Sequence, residues 1–238
     1  MPTALVTGAG RGIGLATAHA FLGAGYRLLA LDKDFSRCDL PESATRVRYD
    51  LTALEGIAGL VASLGEIDTL VNNAGVLFCE PYDAIPEAHK REILAVNLEA
   101  PAALMQALAP QMIARRARTP GAGIAGRIVN VASVAAFTGH PDLWYGATKA
   151  ALINITKSFA GWLGRHGVTV NAVAPGPTQT GMYEQLPQSR KDGVMRSVYA
   201  GRACRPDEVA AAILWLGSTS PEYVNGMTLD INDGSYPR

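Results

Sequence analysis

Tyr145 and Lys149 stand four residues apart in a stretch with helical periodicity, so their side chains share one face. An ammonium beside a phenol favours the phenolate and lowers the tyrosine pKa from its usual value of about 10. That would make Tyr145 an acid/base usable near neutral pH. The same spacing also describes an ordinary exposed helix face. Ser133 closes the strand-like run Asn130-Val131-Ala132-Ser133, twelve residues before Tyr145. Its hydroxyl can hydrogen-bond a carbonyl oxygen alongside Tyr145; the alternative is a turn or cap serine. Asn97 falls inside a helical segment, where asparagine is disfavoured. A polar task is one reading of it, and a solvent-facing side chain is the other.

A second group of residues suits an anion. Thr7-Gly8-Ala9-Gly10-Arg11-Gly12-Ile13-Gly14 is a glycine-rich turn between an apolar strand and a helical pattern. Glycines allow the turn and a close backbone approach, and the helix start offers unpaired N–H groups and a positive dipole end to a pyrophosphate. The spacing is G-x-x-x-G-x-G, carried by Gly8, Gly12 and Gly14, with Ile13 between the last two. Asp32 follows eighteen residues after Gly14, at the end of the next strand, where a carboxylate grips an adenosine ribose. Asp50 and Asn72-Asn73-Ala74-Gly75 also close strands, at the ends where open α/β sheets bind ligands.

These side chains act together only if the intervening elements converge. The strand candidates are Ala4–Val6, Tyr26–Leu31, Arg46–Tyr49, Thr69–Val71, Gly126–Val131, Val168–Ala174 and Met227–Ile231. Helical patterns separate them at Ile13–Phe21, Leu54–Leu64, Pro86–Ala114, Trp144–Gly164 and Pro206–Leu216. Near-continuous apolar strands alternating with helices predict a single α/β domain over 1–238. Its core is a Rossmann-type doubly wound parallel sheet of about seven strands with helices on both faces. The segment from Asp32 to Asp50 is too short for a full crossover helix, so the helix there is expected to be shrunken or absent. Arg115 to Ala125, basic and bearing Pro120, Gly121 and Gly123, reads as a solvated loop, with phosphate binding as its other reading. Residues of about 177–203 form a long connection of weak periodicity, a candidate substrate lid.

Composition narrows the class. The chain has 238 residues, 48% hydrophobic and 18% charged, which excludes intrinsic disorder. Lys plus Arg equals Asp plus Glu at 21 each, so no basic excess points to nucleic acid or to a membrane surface. Cys38, Cys79 and Cys204 form no C-x-x-C pair, so neither a disulfide framework nor a metal site is expected. No signal peptide is visible before the first strand, and no run of about 18 apolar residues suggests a membrane span. A cytoplasmic location is the expectation.

In combination these features are specific. The chain resembles the short-chain dehydrogenase/reductase family over essentially its full length. The matching pieces are Thr7-Gly8-x-x-x-Gly12-x-Gly14, Asp50-Leu51, Asn72-Asn73-Ala74-Gly75, Asn97, Ser133, Tyr145-x-x-x-Lys149, Pro175-Gly176 and Asn232-Asp233-Gly234, in the family's order. The resemblance implies that Tyr145 is the general acid/base and that Ser133 orients the substrate oxygen. Lys149 would lower the Tyr145 pKa and bind the nicotinamide ribose, and Asn97 would hold a proton-relaying water. Gly8, Arg11, Gly12, Ile13 and Gly14 would surround the phosphates. Asp50, Leu51, Asn73, Ala74 and Gly75 would frame the adenosine. Pro175, Gly176 and Thr178 would line the nicotinamide, with Thr180 reaching its carboxamide or the pyrophosphate. The family often has Ile or Val where Thr178 stands.

Within the family, Thr180 to Arg205 followed by Pro206-Asp207-Glu208-Val209-Ala210 resembles the 3-oxoacyl-carrier-protein reductases. Those mostly use NADPH, whereas Asp32 argues for NAD over NADP. The expected function is NAD(H)-dependent hydride transfer between nicotinamide and a small-molecule secondary alcohol or ketone. A 3-oxoacyl thioester, presented by an acyl carrier protein, is one substrate reading; a sugar, polyol or hydroxyacid is the other. A non-catalytic dinucleotide-binding regulator would leave Asn97, Ser133, Tyr145 and Lys149 without a task. His140, Leu143, Trp144, Met182 and Tyr183 flank Tyr145 or open the lid, and are the expected substrate pocket. Ala150, Leu152, Ile153, Ile155, Phe159, Ala160 and Trp162 exceed one intramolecular stripe, so a homotetramer is expected.

Overall fold

The computed structural model describes residues 1–118 and 123–238. Seven strands form one sheet: β1 (Thr3–Thr7), β2 (Arg27–Asp32), β3 (Thr45–Arg48), β4 (Thr69–Asn72), β5 (Gly126–Val131), β6 (Val168–Pro175) and β7 (Thr228–Ile231). All pairings are parallel and the order is β3-β2-β1-β4-β5-β6-β7. The helices are α1 (Gly12–Gly23), α2 (Ile57–Leu64), α3 (Glu87–Leu94), α4 (Ala100–Arg118), α5 (Leu143–Leu163), α6 (Gly181–Glu184), α7 (Gln188–Met195) and α8 (Pro206–Ser218).

The continuous apolar strands follow from a sheet covered on both sides. Alternate residues point to opposite faces. Leu5, Leu29, Leu70, Ile128 and Val170 join one core with Ile57 and Val61 of α2, Leu104 and Leu108 of α4, and Phe159 of α5. Their neighbours Val6, Leu28, Ala30, Val71, Val129 and Val173 join the other, with Phe21 of α1 and Val209, Ile213 and Leu216 of α8. The edge strand β3 is the exception. Thr45, Arg46 and Arg48 are exposed, and charge on an edge discourages pairing with another chain. No helix connects β2 to β3; an Asx-type turn at Asp34, whose carboxylate accepts the Ser36 N–H at 2.9 Å, makes the crossing instead.

Most element ends shift by a residue or two from the sequence reading, and two differences have a clear physical cause. Residues 115–118 end α4 rather than begin a loop. Arg115 pairs with Asp68 at 2.8 Å and donates to the carbonyl of Ala125 at 2.9 Å, which fixes the last turn to the sheet end. Basic residues at a helix C-terminus also meet the negative dipole end. Pro120 and Gly121 lie outside the described residues. The second difference is that α5 starts one residue early, because the Asp142 carboxylate accepts the Tyr145 N–H at 3.1 Å and caps it.

A π-helical segment, Ala95–Glu99, joins α3 to α4. The continuous helix Glu87–Arg118 has the length and apolar composition to cross a membrane. In this fold its apolar stripe is spent on the sheet, where Leu104, Met105, Leu108 and Met112 are completely buried.

Candidate active site

The strand order reverses between β1 and β4, and a cleft of about 1200 Å³ opens over the carboxyl ends of the strands there. The glycine turn forms one wall. Gly8 and Gly12 adopt φ of +66° and +57°, in the left-handed region. A Cβ on Gly14 would lie 2.0 Å from the Gly8 carbonyl oxygen, so only a bare backbone fits. Arg11, at the N-cap of α1, makes no side-chain capping bond, which leaves the first-turn N–H groups without a side-chain acceptor. A close-approach backbone, an uncapped helix start and a carboxylate beside them fit a dinucleotide pyrophosphate and ribose. That carboxylate is Asp32, which accepts Gly10 N–H at 2.8 Å and Asp34 N–H at 3.0 Å. Each oxygen keeps acceptor capacity beyond these single bonds.

Thr7 and Asn73 hold this wall to β4. Thr7 Oγ1 accepts the N–H groups of Asn73 and Ala74, both at 3.0 Å, and the Asn73 side chain donates to the carbonyls of Thr7 and Gly8. The Asn73 amide is therefore engaged with the turn. Asp50 lines the cleft but accepts from Thr52, a contact that holds its carboxyl below the usual range. Leu51 is buried beneath it, and Ile13, Ala74 and Gly75 also line the cleft. From the opposite wall come Pro175, Gly176, Thr178 and Thr180. Thr178 Oγ1 donates to the Gly176 carbonyl at 3.1 Å, and the Thr180 methyl would sit 3.2 Å from a Cβ on Gly12. The end of β6 thus meets the phosphate turn.

Ser133, Tyr145 and Lys149 converge on the middle of the cleft. The Ser133 side chain stands near enough to the Tyr145 hydroxyl to act on its ionisation, and Ser133 Oγ accepts the Ala135 N–H at 3.1 Å. Burial raises the Tyr145 pKa, Ser133 opposes that shift, Asp142 adds to it and Arg190 opposes it. Lys149 Nζ lies 5.7 Å from the Tyr145 ring centroid and donates to the Val131 carbonyl at 2.7 Å. Burial pushes the Lys149 pKa down to about 8. Asn97 occupies the π-helical segment, which explains a mid-helix asparagine. Its amide accepts Val76 N–H at 2.8 Å and donates to the Val76 carbonyl at 3.0 Å, locking the segment after β4. Both Asn97 Oδ1 and Lys149 Nζ would lie 3.5 Å from a Cβ on Gly75.

At the far end His140, Met182 and Tyr183 line the cleft as expected, whereas Leu143 and Trp144 do not. They precede Tyr145 by two and one residues on α5, so helix rotation carries them off its face. Leu143 is 49% exposed, and Trp144 lies under the Lys90 ammonium at 5.0 Å. Phe78 and Arg190 line this end without having been singled out from sequence. Nothing in a weakly periodic connection reveals which lid side chain turns inward. Asp142 was legible in principle, as an acidic residue just before a helix. Among the described residues no cluster of metal-ligating side chains exists.

A family model described as short chain dehydrogenase matches residues 2–191. Galactitol 2-dehydrogenase of Agrobacterium fabrum is 34% identical, with 98% of this chain and 96% of the relative covered. The 3-oxoacyl-acyl-carrier-protein reductase FabG of Thermotoga maritima is also 34% identical, covering 97% and 96%. A solved 4-hydroxyisoleucine dehydrogenase complexed with NADH is 26% identical with a TM-score of 0.87, covering 99% of both chains. Another solved relative, from Beutenbergia cavernae, holds NADP at low occupancy and is 34% identical with a TM-score of 0.89, covering 98% and 96%.

The buried Lys149 has a measurable signature. Between about 8 and its ordinary value of 10.5 the amine is neutral when folded but protonated when unfolded. The unfolded state then binds more protons, so stability from this group rises with pH across that window and is lost again as pH falls through about 8. Urea denaturation midpoints of wild type and Lys149→Met are expected to differ by a constant below pH of about 7.5, with the wild type gaining relative to the variant from pH about 8 upward. Parallel profiles across the whole range would contradict the depressed value.

Proposed function

The chain belongs to the short-chain dehydrogenase/reductase family, as an oxidoreductase acting on CH–OH and C=O groups, and we propose that it joins NAD(H) to a small polar secondary alcohol or its ketone. The observation that carries this reading is the convergence of Ser133, Tyr145 and Lys149 beside an uncapped glycine turn in one cleft. The nicotinamide, when bound, supplies the hydride acceptor or donor. Gly8, Arg11, Gly12, Ile13, Gly14 and Asp32 hold its adenosine half, with Asp50, Leu51, Asn73, Ala74 and Gly75 around the base. Pro175, Gly176, Thr178, Thr180 and Lys149 hold its nicotinamide half.

The protein's own part is to place and protonate one oxygen. Ser133 hydrogen-bonds the substrate oxygen and keeps it against the Tyr145 hydroxyl. A buried tyrosine with a raised pKa is a phenol at neutral pH, so it gives its proton to a developing alkoxide during ketone reduction. In the oxidative direction it receives that proton back. Lys149 contributes a positive charge next to this exchange, and Asn97 fixes the backbone through which the cleft wall reaches Lys149. The segment 177–203, with α6 and α7, closes the substrate end as a lid.

Three further readings belong to the proposal. Trp162 near the end of α5 is 62% exposed, an apolar surface suited to a second subunit, and a homotetramer is the state proposed. The free cysteines Cys38, Cys79 and Cys204 support a reduced, cytoplasmic setting. Asp32 favours NAD, because the 2′-phosphate of NADP would meet its carboxylate with like charge.

Tyr145→Phe keeps the ring but removes the proton; turnover of an alcohol panel with NAD is expected to fall by roughly 10²–10⁴-fold while NADH binding, read by fluorescence, is retained. Retention of more than about a tenth of the rate would contradict the assignment. Comparing kcat/KM for NAD and NADP, wild type is expected to favour NAD and Asp32→Ala to erode that preference. A wild-type preference for NADP, or a ratio indifferent to the substitution, would refute the role of Asp32. Sedimentation velocity at micromolar protein is expected to show a tetramer, and a monomer would dismiss that state.

A further inference from the structure

Arg190 is a cation in the substrate end of the cleft, and among the described residues no carboxylate forms an ion pair with it. It sits on α7, and its guanidinium donates to His140 Nε2 at 2.6 Å. The other ring nitrogen, Nδ1, lies 3.1 Å from the Asp142 carbonyl oxygen. Nδ1 also lies 3.2 Å from the Asp142 backbone nitrogen, so the Asp142 contacts alone do not fix the ring; a guanidinium only donates, so Nε2 carries the lone pair and the neutral ring keeps its proton on Nδ1. Burial keeps that imidazole neutral by pushing its pKa down, and the Arg190 charge reinforces the shift. The partner of Arg190 is therefore uncharged.

The nearby carboxylates make no direct ion pair with it. Asp142 is buried, with Oδ1 on the Tyr145 N–H and Oδ2 on the Phe78 N–H. Asp192 accepts from Gln188 at 2.7 Å. Glu184 lines the cleft on α6 but forms no ion pair with Arg190. A guanidinium stays charged at any ordinary pH and presents N–H donors in a planar fork that matches a carboxylate. One imidazole nitrogen occupies only part of that fork. The His140 and Tyr145 ring centroids are 5.3 Å apart, so the ring that holds the cation packs against the tyrosine.

We propose that Arg190, steadied by His140, receives a substrate carboxylate, so that the site acts on a free hydroxy acid or its oxo acid rather than on a neutral polyol or an acyl thioester. The inference rests on the alcohol/ketone oxidoreductase reading of the same cleft. It gives that reading a substrate class and places the carboxylate a few bonds from the reacting carbon. Met182 and Phe78 supply the apolar walls between the two ends.

The test uses D-gluconate, D-glycerate and 3-hydroxybutanoate, each beside its neutral primary amide. Initial rates with NAD and calorimetric binding to the NADH-loaded protein are measured for wild type, Arg190→Gln and Arg190→Lys. For at least one pair, wild type is expected to favour the acid at least about tenfold, mainly through KM, as a charge-assisted bidentate contact warrants. Arg190→Gln is expected to reduce that acid-to-amide ratio by about ten- to hundredfold, and Arg190→Lys to restore part of it. Retained NADH affinity and an unchanged thermal midpoint certify that Arg190→Gln is folded. Equal use of acid and amide by wild type, or a ratio that Arg190→Gln does not move, overturns the proposal while leaving the oxidoreductase reading intact. Should no alcohol be turned over, that parent reading fails, and the calorimetric ratio still decides the anion site: no acid preference in binding overturns it.

Discussion

Thr7 Oγ1 receives the N–H groups of Asn73 and Ala74, and the Asn73 side chain returns two hydrogen bonds to the carbonyls of Thr7 and Gly8. This short reciprocal clamp joins the ends of β1 and β4, the two strands between which the sheet reverses direction of growth. Everything placed by the site is measured from it. The glycine turn leaves β1 directly above the clamp, and Gly14 packs so closely on Gly8 that the turn has no freedom to drift. On the other side, the chain leaving β4 passes Gly75 and is fastened at Val76 by Asn97. Phosphate turn and proton-transfer wall are thus two branches of one hydrogen-bonded junction.

Burial then does the electrostatic work. Lys149 and Tyr145 sit on adjacent turns of α5, and desolvation pushes the lysine pKa down and the tyrosine pKa up. Both shifts favour the neutral form of each group. A tyrosine held as a phenol keeps its proton available for a developing alkoxide, and a lysine at about 8 is still a cation at neutral pH. Asp142 supports this arrangement from the helix end. Its carboxylate caps α5 at Tyr145 and also holds Phe78, tying the start of the catalytic helix to the loop that follows β4.

How much of this was written in the sequence depends on the physics that fixed each part. The strands were legible because residues such as Leu5 and Val6 are both buried, on opposite faces, leaving unbroken apolar runs. Gly8, Gly12, Asp32, Ser133, Tyr145 and Lys149 were legible because turn geometry and strand ends constrain residue type locally. Asn97 was noticed as a misfit, and the π-helical segment supplies its reason. Trp144 and Leu143 were misplaced because proximity in sequence to Tyr145 says nothing about helix rotation until the cap residue is known. Residues 115–118 read as loop because a run of arginines looks solvated; Arg115 is instead anchored by Asp68, just before β4 and distant in sequence, and by the Ala125 carbonyl just before β5. Arg190 was invisible for a similar reason. Its partner His140 is fifty residues upstream, and no local pattern joins them.

Helix α7, which carries Arg190, buries none of its residues fully. An element so thinly packed gains little from the rest of the fold, and segments of that kind open at low free-energy cost. Its closed position rests on a few polar bridges, among them Arg190 to His140 and Lys191 to the Glu184 carbonyl at 2.8 Å. The opposite bank of the cleft, built on β5 and α5, is by contrast part of the rigid core. If 177–203 is the lid proposed above, a molecule that touches both banks binds only its shut form, and so draws the equilibrium toward that form as its concentration rises over its dissociation constant. The looseness of one short helix thereby turns occupancy of the cleft into exclusion of water from it, with no separate trigger.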